Sequence, residues 1–545
     1  AGWKMRCILH VDVDSFYVEA ERVRRPDLKN RPVAVKQFNS GGFAAVSYEA
    51  KAKGIRKGDG AGARGRAVIS FLRDKKSEHQ AIKDCPGLVV LPMDTDYYRF
   101  VSRQILQVLT KSTETWRAKI EKSSYDDYYI DVTGRVTKEL AKKEGEISKF
   151  LSAYPPEEDA PKIAHLIPRS GDLKTKIKLQ VSEIEGEIGR WWACGVRMAL
   201  HLQKKIMSKT DGLSISIGIG PNKLVARLVS GLHKPAGVTV VDSGDRVRNL
   251  MDQTRIQSIP GLMGQLGRRV LDILKLHDEA KASDLYSDRV LKLLTKELGD
   301  EKARYVIHKV RAEDDSPVVP RGPPKSVISE RSFPPTSKLN ILKGMSKMLA
   351  VRLLRRLEED ATESNRCPNR LFIKWRVGYS QRHSLVSRTV TRPSTLAPYL
   401  QTKTGERVIP SEAASFRAAC RGYSLKGTLN ETALGLVADI VDICMQILKK
   451  CQGQELTRLI LGAEDFVNLP RNTVKSYFSK RPLETQRDRP AASHPDGRKG
   501  KRSRSERGLT LSHGFAISSK STSEANGGDR SAAVTKEVIN EFFDI

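Results

Sequence analysis

The stretch Cys7-Ile8-Leu9-His10-Val11-Asp12-Val13-Asp14-Ser15-Phe16-Tyr17 constrains the fold of this chain more than any other. Ile8, Leu9 and Val11 form a short apolar run suited to a buried strand. Asp12 and Asp14 stand two apart at its C-terminal end, so a strand presents both on one face. Helix-forming residues follow at once, with Ser15 placed to cap and Val18, Glu19, Ala20 and Glu21 continuing the pattern. Carboxylates at the carboxyl end of a buried strand are where open α/β sheets carry their chemistry. Taken alone, the stretch serves equally well as an acidic helix cap.

A second stretch, Ser123-Ser124-Tyr125-Asp126-Asp127-Tyr128-Tyr129-Ile130-Asp131-Val132, is strand-like with two adjacent acids in its middle. Adjacent carboxylates in an apolar strand repel and resist burial unless a cation compensates them. Oxygen-only ligands suit Mg²⁺, which keeps water and binds through a few carboxylates plus substrate phosphates. In a regular strand Asp126 and Asp127 face opposite sides, so a shared metal requires a turn or bulge between them.

Asp12-x-Asp14-x-Phe16-Tyr17 together with Ser124-x-Asp126-Asp127 resembles the two metal motifs of the Y-family, lesion-bypass DNA polymerases. Ser40-Gly41-Gly42-Phe43-Ala44-Ala45-Val46-Ser47-Tyr48-Glu49-Ala50-Lys51, Gly218-Ile219-Gly220-Pro221-Asn222-Lys223 and Gly231-Leu232-His233-Lys234-Pro235 extend the likeness over about residues 5–466. Their wording is most similar to the eukaryotic eta branch. The resemblance implies an α/β (α+β) multidomain chain, a right-hand polymerase with palm (1–16 and 93–248), fingers (17–92), helical thumb (249–318), little finger (319–467) and a disordered regulatory tail (468–545). It implies template-directed nucleotidyl transfer from a dNTP to a primer 3′-hydroxyl past damaged bases such as pyrimidine dimers. Two Mg²⁺ ions, with Mn²⁺ as an alternative, are expected on Asp12, Asp126, Asp127 and the Val13 carbonyl. Asp14 is assigned to structure.

By the same resemblance Phe16 and Tyr17 pack beside the sugar, Tyr17 as a gate against a 2′-hydroxyl. Tyr48, Lys51, Lys57 and Lys234 are expected on the triphosphate, Gln37 on the template base, and Ala44 over the nascent pair. The pattern departs from the family in three places. Lysine stands at 51 and 57 where arginine is usual, giving a point charge for a bidentate fork. Asp127 stands where the family has Glu, one methylene shorter. Residues 58–80 have no family counterpart of that length, being either a lineage loop or an error in the gene model.

Composition agrees with a nucleic-acid partner. The 545 residues carry 95 Lys plus Arg against 64 Asp plus Glu, a net charge of +31 spread along the chain. Such an excess points to a polyanion, and 39% hydrophobic content is enough to bury several cores. The seven cysteines show no paired spacing for zinc or disulfides. No apolar run reaches the roughly 18 residues of a membrane span, and no signal peptide is evident. The chain begins at Ala1, consistent with a natural start upstream.

Farther along, residues 134–180 are charged and irregular and read as a mobile surface insertion. Ile256 to Gly267 resembles a helix–hairpin–helix whose Gly261 and Gly264 let amides approach a DNA phosphate. Lys374, Arg376, Arg388 and Arg392 set like charges along strands, costly unless they face an anion. In the tail, Arg498 to Arg504 reads as a nuclear import cluster or a solubilising run. Val474–Phe478 and Ile539–Phe543 resemble sliding-clamp peptides without their leading Gln. The expected partners are primer-template DNA, a dNTP and a clamp, with no membrane, for a nuclear monomer. Two alternatives remain: another Y-family branch, iota- or kappa-like, or a DNA-binding scaffold with a degenerate site.

Overall fold

The computed structural model describes residues 6–37, 41–62, 75–142, 164–175, 177–179, 186–378, 385–404, 416–421 and 429–470. The tail with both clamp-like peptides and the basic cluster, and most of the 58–80 stretch, lie outside these residues.

The stretch that opens the sequence becomes β1 (Ile8–Val13), the third strand of a seven-stranded sheet. The sheet order is β5 (Lys119–Lys122), β6 (Asp127–Asp131), β1, β9 (Ile215–Gly220), β10 (Val238–Val240), β7 (Ala164–Leu166), β8 (Ile177–Leu179). β1 is antiparallel to β6 and to β9, with Asp12 opposite Asp127 on one side and Ser216 on the other. Burial on both faces explains the near-continuous apolar run of β1. Cys7, Leu9, Val11 and Val13 face the main core beneath α1 (Phe16–Arg24), α4 (Thr95–Thr113) and α6 (Gly186–Lys209). Ile8 packs with Tyr129 and Ala226 on the other face, under α7 (Lys223–Ser230).

Residues 134–180 were expected to be a mobile surface insertion, and the structure corrects this. The described residues of this stretch, 134–142, 164–175 and 177–179, contribute most of α5 (Thr133–Leu140) and the strands β7 and β8, with β7 parallel to β10, and the rest of the stretch lies outside the described residues. Alternating Ala164-His165-Leu166 is too short a run to carry a period on its own.

A second, three-stranded sheet orders β3 (Phe43–Val46), β2 (Val33–Lys36) and β4 (Val89–Pro92). With α2 (Tyr48–Ala52) and α3 (Glu78–Asp84) it encloses a small core of Ala34, Phe43, Val46, Ala50, Ile55, Ala81, Cys85 and Leu88. A helical unit follows: α8 (Gly244–Gln253), α9 (Gln265–Leu274), α10 (Asp288–Leu298) and α11 (Asp300–Val310) share a core that also takes Ile167 and Leu224. After the proline-rich connection, β11 (Ser326–Thr336), β14 (Leu456–Asn468), β12 (Arg366–Val377) and β13 (Val386–Thr391) form a four-stranded sheet in that order. One face is covered by α12 (Leu339–Ser364), α13 (Leu396–Lys403) and α15 (Glu431–Leu448).

Two features of this last region are invisible in sequence. The short helix α14 (Phe416–Arg421) leaves it to place Cys420 and Phe416 in the core of the seven-stranded sheet, against α1 and α4. And α12 meets α4 through a line of ion pairs. Buried Asp96 takes Arg356 Nε at 3.0 Å and Arg352 at 3.4 Å, while Glu359 takes Arg99 and Arg103, each at 2.9 Å. Among the described residues, all cysteines are free, and no helix is long and apolar enough to cross a membrane.

Candidate active site

The acids converge where β1 and β6 end. The turn required between Asp126 and Asp127 is present: Ser124 to Asp126 form a bend, and β6 starts at Asp127. One serine builds it. The amides of Asp126 and Asp127 both donate to Ser124 Oγ at 3.2 Å, and that hydroxyl lies 2.5 Å from Asp126 Oδ1. The Val13 amide donates to the Asp126 carbonyl at 3.0 Å, tying the bend to the end of β1.

The two β1 aspartates divide sharply. Asp14 is fully buried and accepts from Ser216 Oγ at 2.8 Å, Ser214 Oγ at 3.0 Å, the Ala236 amide at 2.8 Å and Tyr48 at 3.3 Å. Its lone pairs are spent on the protein. Asp12 remains partly open and pairs with Lys234 Nζ. Burial pushes its carboxyl up, Lys234 pulls it back, and the charges of Asp127 and Asp126 raise it again. Burial also raises Asp126, opposed by the Ser124 hydrogen bond and reinforced by Asp127.

Asp127 shares the Ser124 hydroxyl with Asp126, its Oδ2 lying 3.3 Å from Ser124 Oγ, and has further neighbours of its own. Its carboxylate lies 3.6 Å from His10 Nε2 and 3.5 Å from Arg227, and His10 Nδ1 meets Ser230 Oγ at 2.8 Å. Burial drives His10 down to about 3, so the ring is neutral. Neither His10 nor Arg227 was singled out in the sequence. Their placement depends on the β1–β6–α7 arrangement, and no local pattern carries it.

Among the described residues, no three acidic, histidine or cysteine side chains form a closed metal-ligand set. The donors nonetheless fit Mg²⁺. Asp12, Asp126 and the Val13 carbonyl offer hard oxygens, and an open two-carboxylate site leaves positions for water and phosphate oxygen. The like charges that raise Asp12 are the imbalance that a divalent cation relieves.

Cations gather around the same strand end. Ser15, expected to cap α1, sits in left-handed backbone (φ 44°) without capping through its side chain. Instead it donates to the Val46 carbonyl at 3.2 Å and accepts from Lys51 Nζ at 3.1 Å. Lys51 also lies over the Tyr48 ring at 4.2 Å. Burial lowers its pKa, and Lys234, and more weakly Lys57, push it the same way. Three mutually repelling lysines beside carboxylates make a site that gains from a polyphosphate. Phe16 is buried and Tyr17 half-buried at the start of α1; Ala44 is buried at a bulge in β3, and exposed Gln37 donates its amide to the Gly42 carbonyl at 3.2 Å.

The predicted DNA-contacting residues are spread out. Gly264 caps α9 without a side-chain acceptor, and Gly261 (φ 95°) turns the chain before it. The element before this hairpin is a single 3-10 turn, Ile256–Ser258, where a helix was expected. Lys374 and Arg376 lie on the sheet face away from the helices. Arg388 does not join them: it pairs with Ile373 in register, on the helix-covered face of edge strand β13.

Residues 11–231 match the impB/mucB/samB family model. DNA polymerase iota of Mus musculus is 28% identical over 381 residues, 69% of this chain and 46% of that one. DNA polymerase eta of Arabidopsis thaliana is 26% identical over 501 residues, 88% of this chain and 66% of that one. DNA polymerase IV of Nitrosopumilus maritimus is 28% identical over 58% of this chain and 68% of its own. The chain thus spans about half to two thirds of these relatives' lengths. A solved Y-family DNA polymerase chimera, Dbh-Dpo4(243-245)-Dbh, superposes with a TM-score of 0.51 at 17% identity, covering 85% of this chain and 99% of that one. The fold is that of a Y-family polymerase. Residues 11–231 are similar to the impB/mucB/samB family, and the similar proteins named span the eta, iota and IV polymerases.

Proposed function

We propose that the protein is a template-directed, lesion-bypass DNA polymerase that adds nucleotides from dNTPs to a primer 3′-hydroxyl. One observation carries this reading: Asp12 and the Ser124-braced Asp126 converge at the end of β1, ringed by Tyr48, Lys51 and Lys234. In this reading Asp12, Asp126 and the Val13 carbonyl hold the divalent cations, with Asp127 beside them. Bound Mg²⁺ supplies activation of the primer hydroxyl and neutralisation of the leaving pyrophosphate. Lys51, Lys57 and Lys234 draw in and orient the triphosphate, and Lys234 exchanges its Asp12 partner for phosphate. Tyr17 excludes a ribose 2′-hydroxyl. The hairpin at Gly261 and Gly264, with Lys374 and Arg376 on the open sheet face, grips DNA backbone in a sequence-independent manner, and Arg388 on the other face is left out of that grip. An eta-like preference for ultraviolet photoproducts, a nuclear location and clamp binding through the tail belong to the same proposal.

A second reading is favoured by the contacts of Asp127 with His10 and Arg227, which compete for its carboxylate: a DNA-binding scaffold with a weakened site. Primer extension with Mg²⁺, on undamaged and thymine-dimer templates, separates them. The polymerase reading expects extension on both, abolished by Asp126→Ala. Extension on undamaged DNA alone keeps the chemistry and rejects the eta-like branch. DNA binding without extension by the unsubstituted protein establishes the scaffold.

A further inference from the structure

Tyr17, the residue placed beside the sugar, does not stand alone. Its ring stacks on that of Tyr98 from α4, with centroids 4.6 Å apart and planes at 29°. Phe16 meets both rings, at 5.4 Å from Tyr17 and 6.2 Å from Tyr98. Tyr98 is fully buried, and its hydroxyl donates to Glu21 Oε1 at 2.8 Å. Glu21 is itself fully buried and takes Arg24 through Nε at 3.0 Å and Nη2 at 2.6 Å. Arg24 then lies over the Tyr97 ring at 4.0 Å and donates to Asp94, the cap residue of α4, at 3.0 Å.

These contacts form an unbroken series from the start of α4 to the Tyr17 ring. A buried carboxylate held by a forked arginine and a tyrosine has few other arrangements, since any shift leaves a buried charge short of a partner. Tyr98 therefore presents a fixed ring face. Tyr17, only half-buried, has no comparable anchor at its outer edge and extends toward the acids. Burial first, then the charge of Asp126, pushes its hydroxyl up to about 12.

We propose that Tyr98, held by Glu21 and Arg24, is a positioning residue that sets sugar selectivity by fixing the Tyr17 ring against the nucleotide. The inference rests on the reading of Tyr17 as a sugar gate. A compliant apolar pocket rejects an added hydroxyl by only about 100-fold, because the wall gives way. Sharper exclusion needs a wall that cannot yield, and stacking on an immobile ring provides one.

The test uses the full chain and the ratio of kcat/KM for dATP to that for ATP in single-nucleotide primer extension. Tyr17→Ala is the control for the gate itself and is expected to collapse the ratio. Tyr98→Leu is expected to lower it about three- to tenfold, the factor a stacked aromatic pair is worth, and Tyr98→Phe, which keeps the ring face but loses the Glu21 anchor, to lower it by a smaller factor. A merely structural role for Tyr98 lowers both rates in parallel and leaves the ratio intact. Should Tyr98→Leu not fold, Tyr98→Met keeps the volume without a ring face and is read the same way. A ratio within about twofold of the parent in Tyr98→Leu and Tyr98→Met, with Tyr17→Ala already relaxed, overturns the inference. An unchanged ratio in Tyr17→Ala overturns the gate reading, and the inference with it.

Discussion

Asp12 and Asp14 are two residues apart, yet the structure gives their removal opposite consequences. Asp14→Ala deletes an acceptor of four hydrogen bonds, from Ser214, Ser216, Ala236 and Tyr48. Hydrogen bonds to a charged group contribute about 1.5–3 kcal/mol each, and each buried donor left unpaired costs about 1–3 kcal/mol. The sum overshoots because neighbours relax, and single substitutions seldom exceed about 4–5 kcal/mol. We therefore expect about 4 kcal/mol, or a fall of about 8–15 °C in the melting temperature of the seven-stranded sheet region. Asp12→Ala removes a carboxylate that burial and like charges already disfavour, and Lys234 reaches solvent once freed. Its stability is expected to stay within about 1 kcal/mol of the parent. Asp14→Asn keeps an acceptor but turns an NH₂ toward a donor, and should fall between the two. Thermal melts in metal-free buffer, followed by tryptophan fluorescence, measure all three, and Mg²⁺-dependent extension is then read on each folded variant. Equal melting of Asp14→Ala and the parent, or an equally large loss in Asp12→Ala, refutes the division of roles.

Two further outcomes follow from charges between the large sheets. Asp96 sits buried among Arg99, Arg352 and Arg356 where α4 meets α12; Asp96→Asn leaves those cations uncompensated and should cost about 3–5 kcal/mol. Limited proteolysis of the Pro317–Pro324 connection should then accelerate, and an unchanged cleavage rate contradicts it. Lys122 lies in the same seam, where burial, then Arg103 and Arg99, lower it to about 8, against the pull of Glu363. Below pH 8 it is charged in both states and the folded state bears the whole penalty, so Lys122→Met should stabilise by about 1–2 kcal/mol at pH 7 after allowance for solvent screening. Between about pH 8 and the ordinary lysine value of 10.5, the unfolded chain binds more protons, so parent stability rises and the gain from the substitution shrinks. Urea unfolding at pH 7 and pH 9 measures this, and a gain that grows with pH contradicts it.

The sequence by itself determined what local pattern can carry. The apolar run Ile8–Val13 and its terminal acids specify a buried strand with polar chemistry at one end, because side-chain alternation is written residue by residue. The adjacent acids at 126 and 127 demanded a bend, and Ser124 supplies it from two and three residues away. Helices such as Thr95–Thr113 announced themselves by period. Tertiary structure decided the partners. Asp14 is structural because Ser214, Ser216 and Ala236 reach it from 200 to 222 residues along the chain. Asp127 meets Arg227 because α7 brings that side chain over β6, and Arg388 parts from Lys374 because pairing register assigns its face. The seam at Asp96 and the stack on Tyr98 exist only once distant helices dock. The physical reason is the same in each case: hydrogen bonds, ion pairs and ring contacts act over a few ångströms of space, whatever the distance along the chain.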